Sequence, residues 1–320
     1  MGLDHYGAYC SVEGGAPTRI VDTTVIPVER LGQPYVNSPG DALFKAWQPA
    51  PVTSLQRSVS CAPPSVIVER NSAVPGQPTA RWDNDLPEPF LMARWGSSSS
   101  VTFEGLWEDV TKEPPFKGRG LYQSVNGGLP VRIVDSTEAV PGQPGAVFSW
   151  PRGFPRKADD AVAVMAMYTG GAGAVGVYQW VPSNGLTRVI DEASTELGSA
   201  ISAINFFFEG FPVFGSQSGS NAMLNDWAWI VFSAWLVGPD GQPGTSDDEV
   251  NVYLAKPKLP GDFDLDGDVD VTDAAFVQGC FSGSGNPPSP GCEPADLDGD
   301  NDVDVADYLI LQSNYTGTRC

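Results

Sequence analysis

Hydrophobic and polar positions alternate in short runs along the first 258 residues, and the runs return in a fixed order. Residues 120–137 read GLYQSVNGGLPVRIVDST and residues 176–194 read GVYQWVPSNGLTRVIDEAS. Each copy predicts an aromatic strand, a turn rich in Gly, Asn or Pro, and a β-branched strand closed by an acidic residue. A third copy, GAYCSVEGGAPTRIVDTT, occupies residues 7–24, and a weaker one, LQRSVSCAPPSVIVERNS, residues 55–72. The closing residues are Asp22, Glu69, Asp135 and Asp191, spaced 47, 66 and 56 apart. The hexapeptide AVPGQP recurs at 73–78 and 139–144. Further strands are expected at 41–47 (DALFKAW), 89–95 (PFLMARW), 160–168 (DAVAVMAMY) and 227–235 (WAWIVFSAW).

Four strands in each stretch of about 50–60 residues match a propeller blade better than a helical or leucine-rich repeat. The fold class expected for residues 1–258 is therefore an all-β repeat domain of about four repeats, propeller-like, with a β-sandwich or a solenoid as alternatives. Residues 250–255 (VNVYLA) resemble the first strand of another repeat, and pairing with the opening strand would close a ring and remove exposed edges.

The pattern changes near residue 259. Residues 262–273 read DFDLDGDVDVTD, and residues 296–307 read DLDGDNDVDVAD. A hard cation such as Ca²⁺ takes six to eight oxygens, and a 12-residue EF-hand-type loop offers them from positions 1, 3, 5, 7, 9 and 12. The first loop places Asp262, Asp264, Asp266, Asp268, Asp270 and Asp273 there, and the second Asp296, Asp298, Asp300, Asp302, Asp304 and Asp307. Gly267 and Asn301 take position 6, where a left-handed turn is needed. A helix is expected after each loop, with a core stripe of Phe276, Val277, Cys280 and Phe281 in one and Ile310, Leu311 and Tyr315 in the other. Gly283 and Gly317 fall where helix C-caps would lie. Two calcium ions are the expected cofactor, and six carboxylates per loop make metal a condition of folding.

Two calcium loops, each followed by one helix and joined by a short linker, resemble a dockerin module. The likeness spans about residues 260–317 and is to the acidic type found at the C-terminus of secreted bacterial proteins. It implies a small helical calcium-binding domain (259–320) that docks a cohesin-like protein and so attaches the chain to a scaffold or cell surface. Asp273 and Asp307 close the loops as in dockerins, where ordinary EF-hands use Glu. Positions 10 and 11, Val271-Thr272 and Val305-Ala306, depart from the Ser/Thr that many dockerins present to cohesin. A neighbouring subunit is the alternative partner. The upstream repeats resemble uncharacterised propeller-like regions of secreted bacterial proteins, which carry no established activity.

Charge sharpens this division. The chain has 39 acidic and 18 basic residues, a formal −21. Residues 259–320 hold 13 acidic groups against one basic, whereas residues 1–258 hold 26 against 17. With no basic patch, nucleic acid is not an expected partner. A hydrophobic fraction of 41% with nine Trp, nine Tyr and 15 Phe suffices for a core, and 36 Gly with 29 Pro suits strands and turns. The longest apolar run, residues 227–237, is too short to span a membrane. The opening MGLDHYGAYC lacks the pattern of a signal peptide, so the chain reads as a mature or truncated form. Cys280 and Cys292 flank a Ser/Gly/Pro-rich loop and are expected to form a disulfide, which implies an oxidising compartment; two free thiols are the alternative. One odd cysteine then remains among Cys10, Cys61 and Cys320.

An enzyme finds little support. The only histidine is His5, and no Walker A, GxSxG, HExxH or GxGxxG motif is present. A glycoside hydrolase needs only two carboxylates, for which Asp22, Glu69, Asp135 and Asp191 are candidates, although equivalent strand ends mark them as turn residues. Asp240, Asp247 and Asp248 form a third acidic cluster, a candidate for a third calcium or an ordinary turn. Trp95, Trp107, Trp150, Trp180, Trp227, Trp229 and Trp235 are candidate sugar platforms or core residues. The reading is an extracellular or surface-attached calcium-binding protein without enzymatic activity. A carbohydrate-binding protein or hydrolase with polysaccharide as partner, and a self-assembling filament or surface-layer component, are the alternatives.

Overall fold

The computed structural model describes residues 7–10, 18–22, 30–31, 35–36, 41–47, 53–60, 62–83, 89–96, 100–155, 161–182, 185–205, 230–255, 261–264, 268–315 and 317. Two compact units, Met1–Ala255 and Lys256–Cys320, make up the chain. No helix among the described residues is long and apolar enough to cross a membrane.

The first unit is built from antiparallel sheets that follow one another along the chain. The first is a hairpin of β1 (Gly7–Cys10) and β2 (Thr18–Asp22). The second contains β3 (Arg30–Leu31), β4 (Tyr35–Val36), β5 (Ala42–Trp47), β6 (Thr53–Ser58) and β7 (Ser65–Glu69), in the order β3-β5-β6-β7 with β4 also on β5. The third contains β8 (Ala73–Val74), β9 (Gln77–Trp82), β10 (Phe90–Trp95), β11 (Ser100–Asp109), β12 (Phe116–Val125) and β13 (Val131–Asp135). Its order is β13-β12-β11-β9-β8, with β10 also on β11. The fourth is a meander of β14 (Val147–Pro155), β15 (Val162–Thr169), β16 (Val175–Val181) and β17 (Gly185–Asp191). The fifth runs β18 (Ile201–Asn205), β19 (Ile230–Leu236) and β20 (Glu249–Ala255).

The expected aromatic and β-branched strands are β1 with β2, β6 with β7, β12 with β13, and β16 with β17. A register shift recurs at one place in all four pairs: Ala8/Tyr9, Leu55/Gln56, Leu121/Tyr122 and Val177/Tyr178. Such a bulge bends the strand and re-aims the next side chain. The ring of Tyr122 or Tyr178 then lies back over the glycine two residues earlier. A Cβ on Gly120 would sit 2.6 Å from the Tyr122 hydroxyl, and one on Gly176 2.5 Å from that of Tyr178. Close approach therefore explains the G-x-Y signature of these copies.

Successive sheets share cores. Leu43 and Leu55 of the second sheet cluster with Trp82, Phe90 and Phe103 of the third. Leu121, Ile133 and Val134 join Phe148, Val164 and Tyr178 of the fourth, whose Ala163, Val177 and Ile190 meet Ile201, Ile230 and Phe232 of the fifth. Each fully buried large side chain contributes about 1.5–3 kcal/mol, and Trp82 adds an edge-on contact with Tyr122 at 4.7 Å between ring centroids.

The sheets also fasten themselves. Asp135 and Asp191 are completely buried at the ends of β13 and β17. Gln77 Nε2 donates to Asp135 Oδ2 at 2.9 Å, and Gln143 Nε2 donates to Asp191 Oδ2 at 2.9 Å. Arg132 and Arg188 pair with the same oxygens at 3.2 and 3.4 Å. Both glutamines belong to the AVPGQP hexapeptide, so that repeat is a fastener from each sheet's entry to its exit.

Ring closure is not seen among the described residues. Residues 250–255 pair with β19 through β20, β1 pairs with β2, and no ladder joins β20 to β1 among the described residues. The spacing of strands in the sequence carries no information on which free edges meet. β20 keeps Val250, Val252 and Leu254 about half exposed.

Candidate metal centre

In the second unit, each aspartate loop runs into a helix, α1 (Val271–Cys280) or α2 (Val305–Ser313). Asp270 and Asp304 are the N-caps: their Oδ1 atoms accept from Thr272 N and Ala306 N, both at 2.7 Å. Asp273 Oδ2 accepts from Asp270 N at 2.9 Å, and Asp307 Oδ2 from Asp304 N at 2.7 Å, completing a capping box in each helix. The other oxygens reach back to the start of the loops, to Phe263 N and Leu297 N, each at 2.6 Å. One buried carboxylate thus ties the second, ninth and twelfth loop positions together.

The carboxylates converge. Oxygens of Asp262, Asp264 and Asp273, and of Asp268, Asp270 and Asp273, lie within 4.8 Å of one another. Asp296, Asp298 and Asp307, and Asp302, Asp304 and Asp307, do the same. Oxygens bound 2.3–2.6 Å from one cation are separated by up to about 5 Å, so the groups fit a hard divalent ion. Asp302 Oδ1 is buried without a hydrogen-bond partner, a state such an ion would relieve. Asp300 stays outside these groups, its Oδ1 accepting from Asp302 N at 3.1 Å. Asn301 takes the expected left-handed turn at φ 71°. Asp266 and Gly267 lie outside the described residues.

The two halves interlock around Val269, Val277, Cys280, Ala295, Val303 and Leu311. Gly283 N donates to Val303 O at 3.1 Å, and Gly317 N to Val269 O at 3.2 Å. These crossed bonds correct the expectation for the glycines. The C-caps are Phe281 and Asn314, while Gly283 and Gly317 lie beyond them with φ 80° and 73°. Phe281 and Tyr315, expected in the core stripes, are 48% exposed because the helices end before those positions can turn inward. With Val271, Ala274, Ala275, Gln278 and Tyr308, Phe281 lines a shallow groove. Cys280 and Cys292 form the expected disulfide.

The remaining candidates separate clearly. Asp240, Asp247 and Asp248 form no metal-binding group among the described residues. Their oxygens accept from Gln242 N, Asp240 N, Gly238 N, Gly244 N and the Thr245 hydroxyl, as in an Asx-rich turn. Asp135 and Asp191 are engaged as fasteners, and Glu69 is exposed. Asp22 is described only in its backbone; His5, Cys61, Trp227, Trp229 and Cys320 lie outside the described residues, as does the side chain of Cys10. Trp95, Trp107 and Trp180 are buried, Trp235 is half-buried, and Trp150 is 41% exposed.

One group of residues has no counterpart in the sequence reading. Glu104 on β11 is 2% exposed, with its Oε1 unpartnered. Burial raises its pKa above the ordinary carboxylate value, and Arg152, Arg119 and Arg94, in that order, pull it back. The arginines come from β14, β12 and β10, and no local motif joins them.

The second unit is a pair of aspartate loops with EF-hand spacing, each followed by a single helix. Residues 260–314 match the family model of the Dockerin type I domain. Dockerin domains bind calcium and cohesin partners. No curated protein matches the chain. Among solved structures, a protein of unknown function from Dyadobacter fermentans is 11% identical, with a TM-score of 0.30, over 75% of this chain and 64% of that one. The GH93 α-L-arabinofuranosidase of Fusarium graminearum, solved with arabinobiose, is 15% identical, with a TM-score of 0.29, over 70% of this chain and 61% of that one. This chain thus spans less than two thirds of either protein, and neither likeness carries an argument about fold or activity.

Proposed function

We propose that residues 259–320 bind two calcium ions and, so ordered, dock a cohesin-like partner that holds residues 1–258 on a scaffold or surface outside the cell. The ligands are Asp262, Asp264, Asp266, Asp268, Asp270 and Asp273 for one ion, and Asp296, Asp298, Asp300, Asp302, Asp304 and Asp307 for the other. The observation that carries this reading is the convergence of both loops on one buried closing aspartate each. The groove of Val271, Phe281 and Tyr308 supports docking, since apolar residues exposed together mark an interaction surface. The successive sheets and their shared cores favour a propeller-like arrangement of the repeat domain. The domain is a non-enzymatic binding or structural element, a reading supported by the engagement of Asp135 and Asp191 in fastening. Calorimetric titration should give two calcium ions per chain, and a chelator should remove the helical circular dichroism and cohesin binding together. Helices that persist in chelator would sink the reading.

A further inference from the structure

Glu104 stands apart from every other buried acid whose partners are seen in the repeat domain. Asp135 and Asp191 each hold an arginine at 3.2–3.4 Å and a glutamine at 2.9 Å. Glu104 is almost as buried, yet its Oε1 has no hydrogen-bond partner, although three guanidinium groups act on it electrostatically. A buried carboxyl with unfilled hydrogen-bonding capacity is costly and calls for a partner.

The register places that capacity. Glu104 pairs with Leu121 and Leu106 with Arg119, so Glu104, Leu121 and Arg119 share one face of the third sheet. β14 comes in against this face at Gly153, where a Cβ would lie 2.5 Å from Leu121. On β14, Trp150 is 41% exposed, with the Arg119 guanidinium 3.9 Å and that of Arg152 5.4 Å from its ring centroid. Burial disfavours the Arg119 charge most, the nearby Glu104 favours it, and repulsion from Arg152 is the smallest of these effects. Two cations held beside one aromatic ring thus face a carboxyl that neither contacts.

We propose that Glu104, Arg119, Arg152 and Trp150 form a binding site for an acidic sugar. The ligand's carboxylate meets the arginines, whose planar donor forks match it in pairs. A ring hydroxyl exchanges a hydrogen bond with Glu104, and the apolar face of the sugar rests against Trp150. The same guanidinium chemistry would accept a sulfated sugar or a free carboxylate, and a neutral sugar would leave two cations unmatched. The site is separate from the calcium module and does not depend on the docking reading.

The test is calorimetry on the full calcium-loaded chain with trigalacturonate, a sulfated trisaccharide, a neutral galactose trisaccharide, and acetate at matched carboxylate concentration. Trigalacturonate is expected to bind at least tenfold more tightly than the other three. Arg152→Ala, at an exposed position, should weaken binding about tenfold or more, with Arg152→Lys restoring part of it. Trp150→Ala provides a second removal, and thermal unfolding checks that each variant is folded. The proposal is overturned if trigalacturonate gives no binding, if any of the other three ligands binds as well, or if both alanine variants fold and bind like the parent.

Discussion

Gly317 donates its backbone N–H to the carbonyl oxygen of Val269 at 3.2 Å, and Gly283 donates to Val303 at 3.1 Å. Each bond runs from the end of one loop–helix half to the eighth position of the other loop. Val269 and Val303 are fully buried in one shared core. Asp307→Asn removes the acid that closes the second loop, and the crossed bonds should carry that loss to the first. The expected outcome is loss of both helices in calcium, read from backbone NMR signals; an intact α1 beside a melted α2 would show independent halves.

Gln143→Ala leaves Asp191 buried with one donor fewer. Hydrogen bonds to charged groups are worth about 1.5–3 kcal/mol, and Arg188 and Ser194 still contact the carboxylate. The loss of stability should fall near the lower end, measured by denaturant titration. Asp191→Ala should cost more, because it removes the acceptor of Gln143 and one of the two acids that hold Arg188, leaving Arg188 only Glu196 and Ser194.

Glu104→Gln tests the raised pKa of that carboxyl. The folded chain keeps the Glu104 proton to higher pH than the unfolded chain does. The stability this provides is full below the ordinary carboxylate range and is lost as pH rises through the raised value. The parent's melting temperature should therefore fall relative to that of Glu104→Gln between pH 4 and pH 8. Parallel curves would contradict the assignment.

Replacing Cys280 and Cys292 by serine opens a bridge that closes a short loop within the calcium module. Loops near this length are held by about 3 kcal/mol of lost unfolded-state entropy. Calcium affinity of the double variant should drop, because binding must now also order that loop, and calorimetry reads the change directly.

Gly120→Ala and Gly176→Ala each put a methyl group against a buried tyrosine hydroxyl. Overpacking of this kind costs about 1–3 kcal/mol. Gly185→Ala, with nothing within 4 Å of the added carbon but φ of 70°, separates backbone strain from crowding in the same melting experiment.

The calcium loops were legible because cation chemistry imposes a spacing of carboxylates that local sequence displays in full. The strands were legible because alternation and Gly/Pro turns are local too. Phe281 and Tyr315 misled because they continue an apolar stripe past the point where the helix ends, which the crossed bonds of Gly283 and Gly317 decide. The Glu104 group was invisible for a related reason: its arginines come from β10, β12 and β14, and only sheet register and packing bring them near. Strand pairing at the open edges was equally out of reach, since nothing local specifies the partner of β20.

The fastening of the third and fourth sheets from entry to exit has a consequence for their independence as units. A stretch running from Gln77 to Asp135, or from Gln143 to Asp191, contains both halves of its own clasp. Copied in tandem, such a stretch arrives able to shut itself, without waiting for a matching change in its neighbour. Units closed in this way need not be equal in length, which accords with the uneven spacing of 47, 66 and 56 residues between the closing acids of the four repeats.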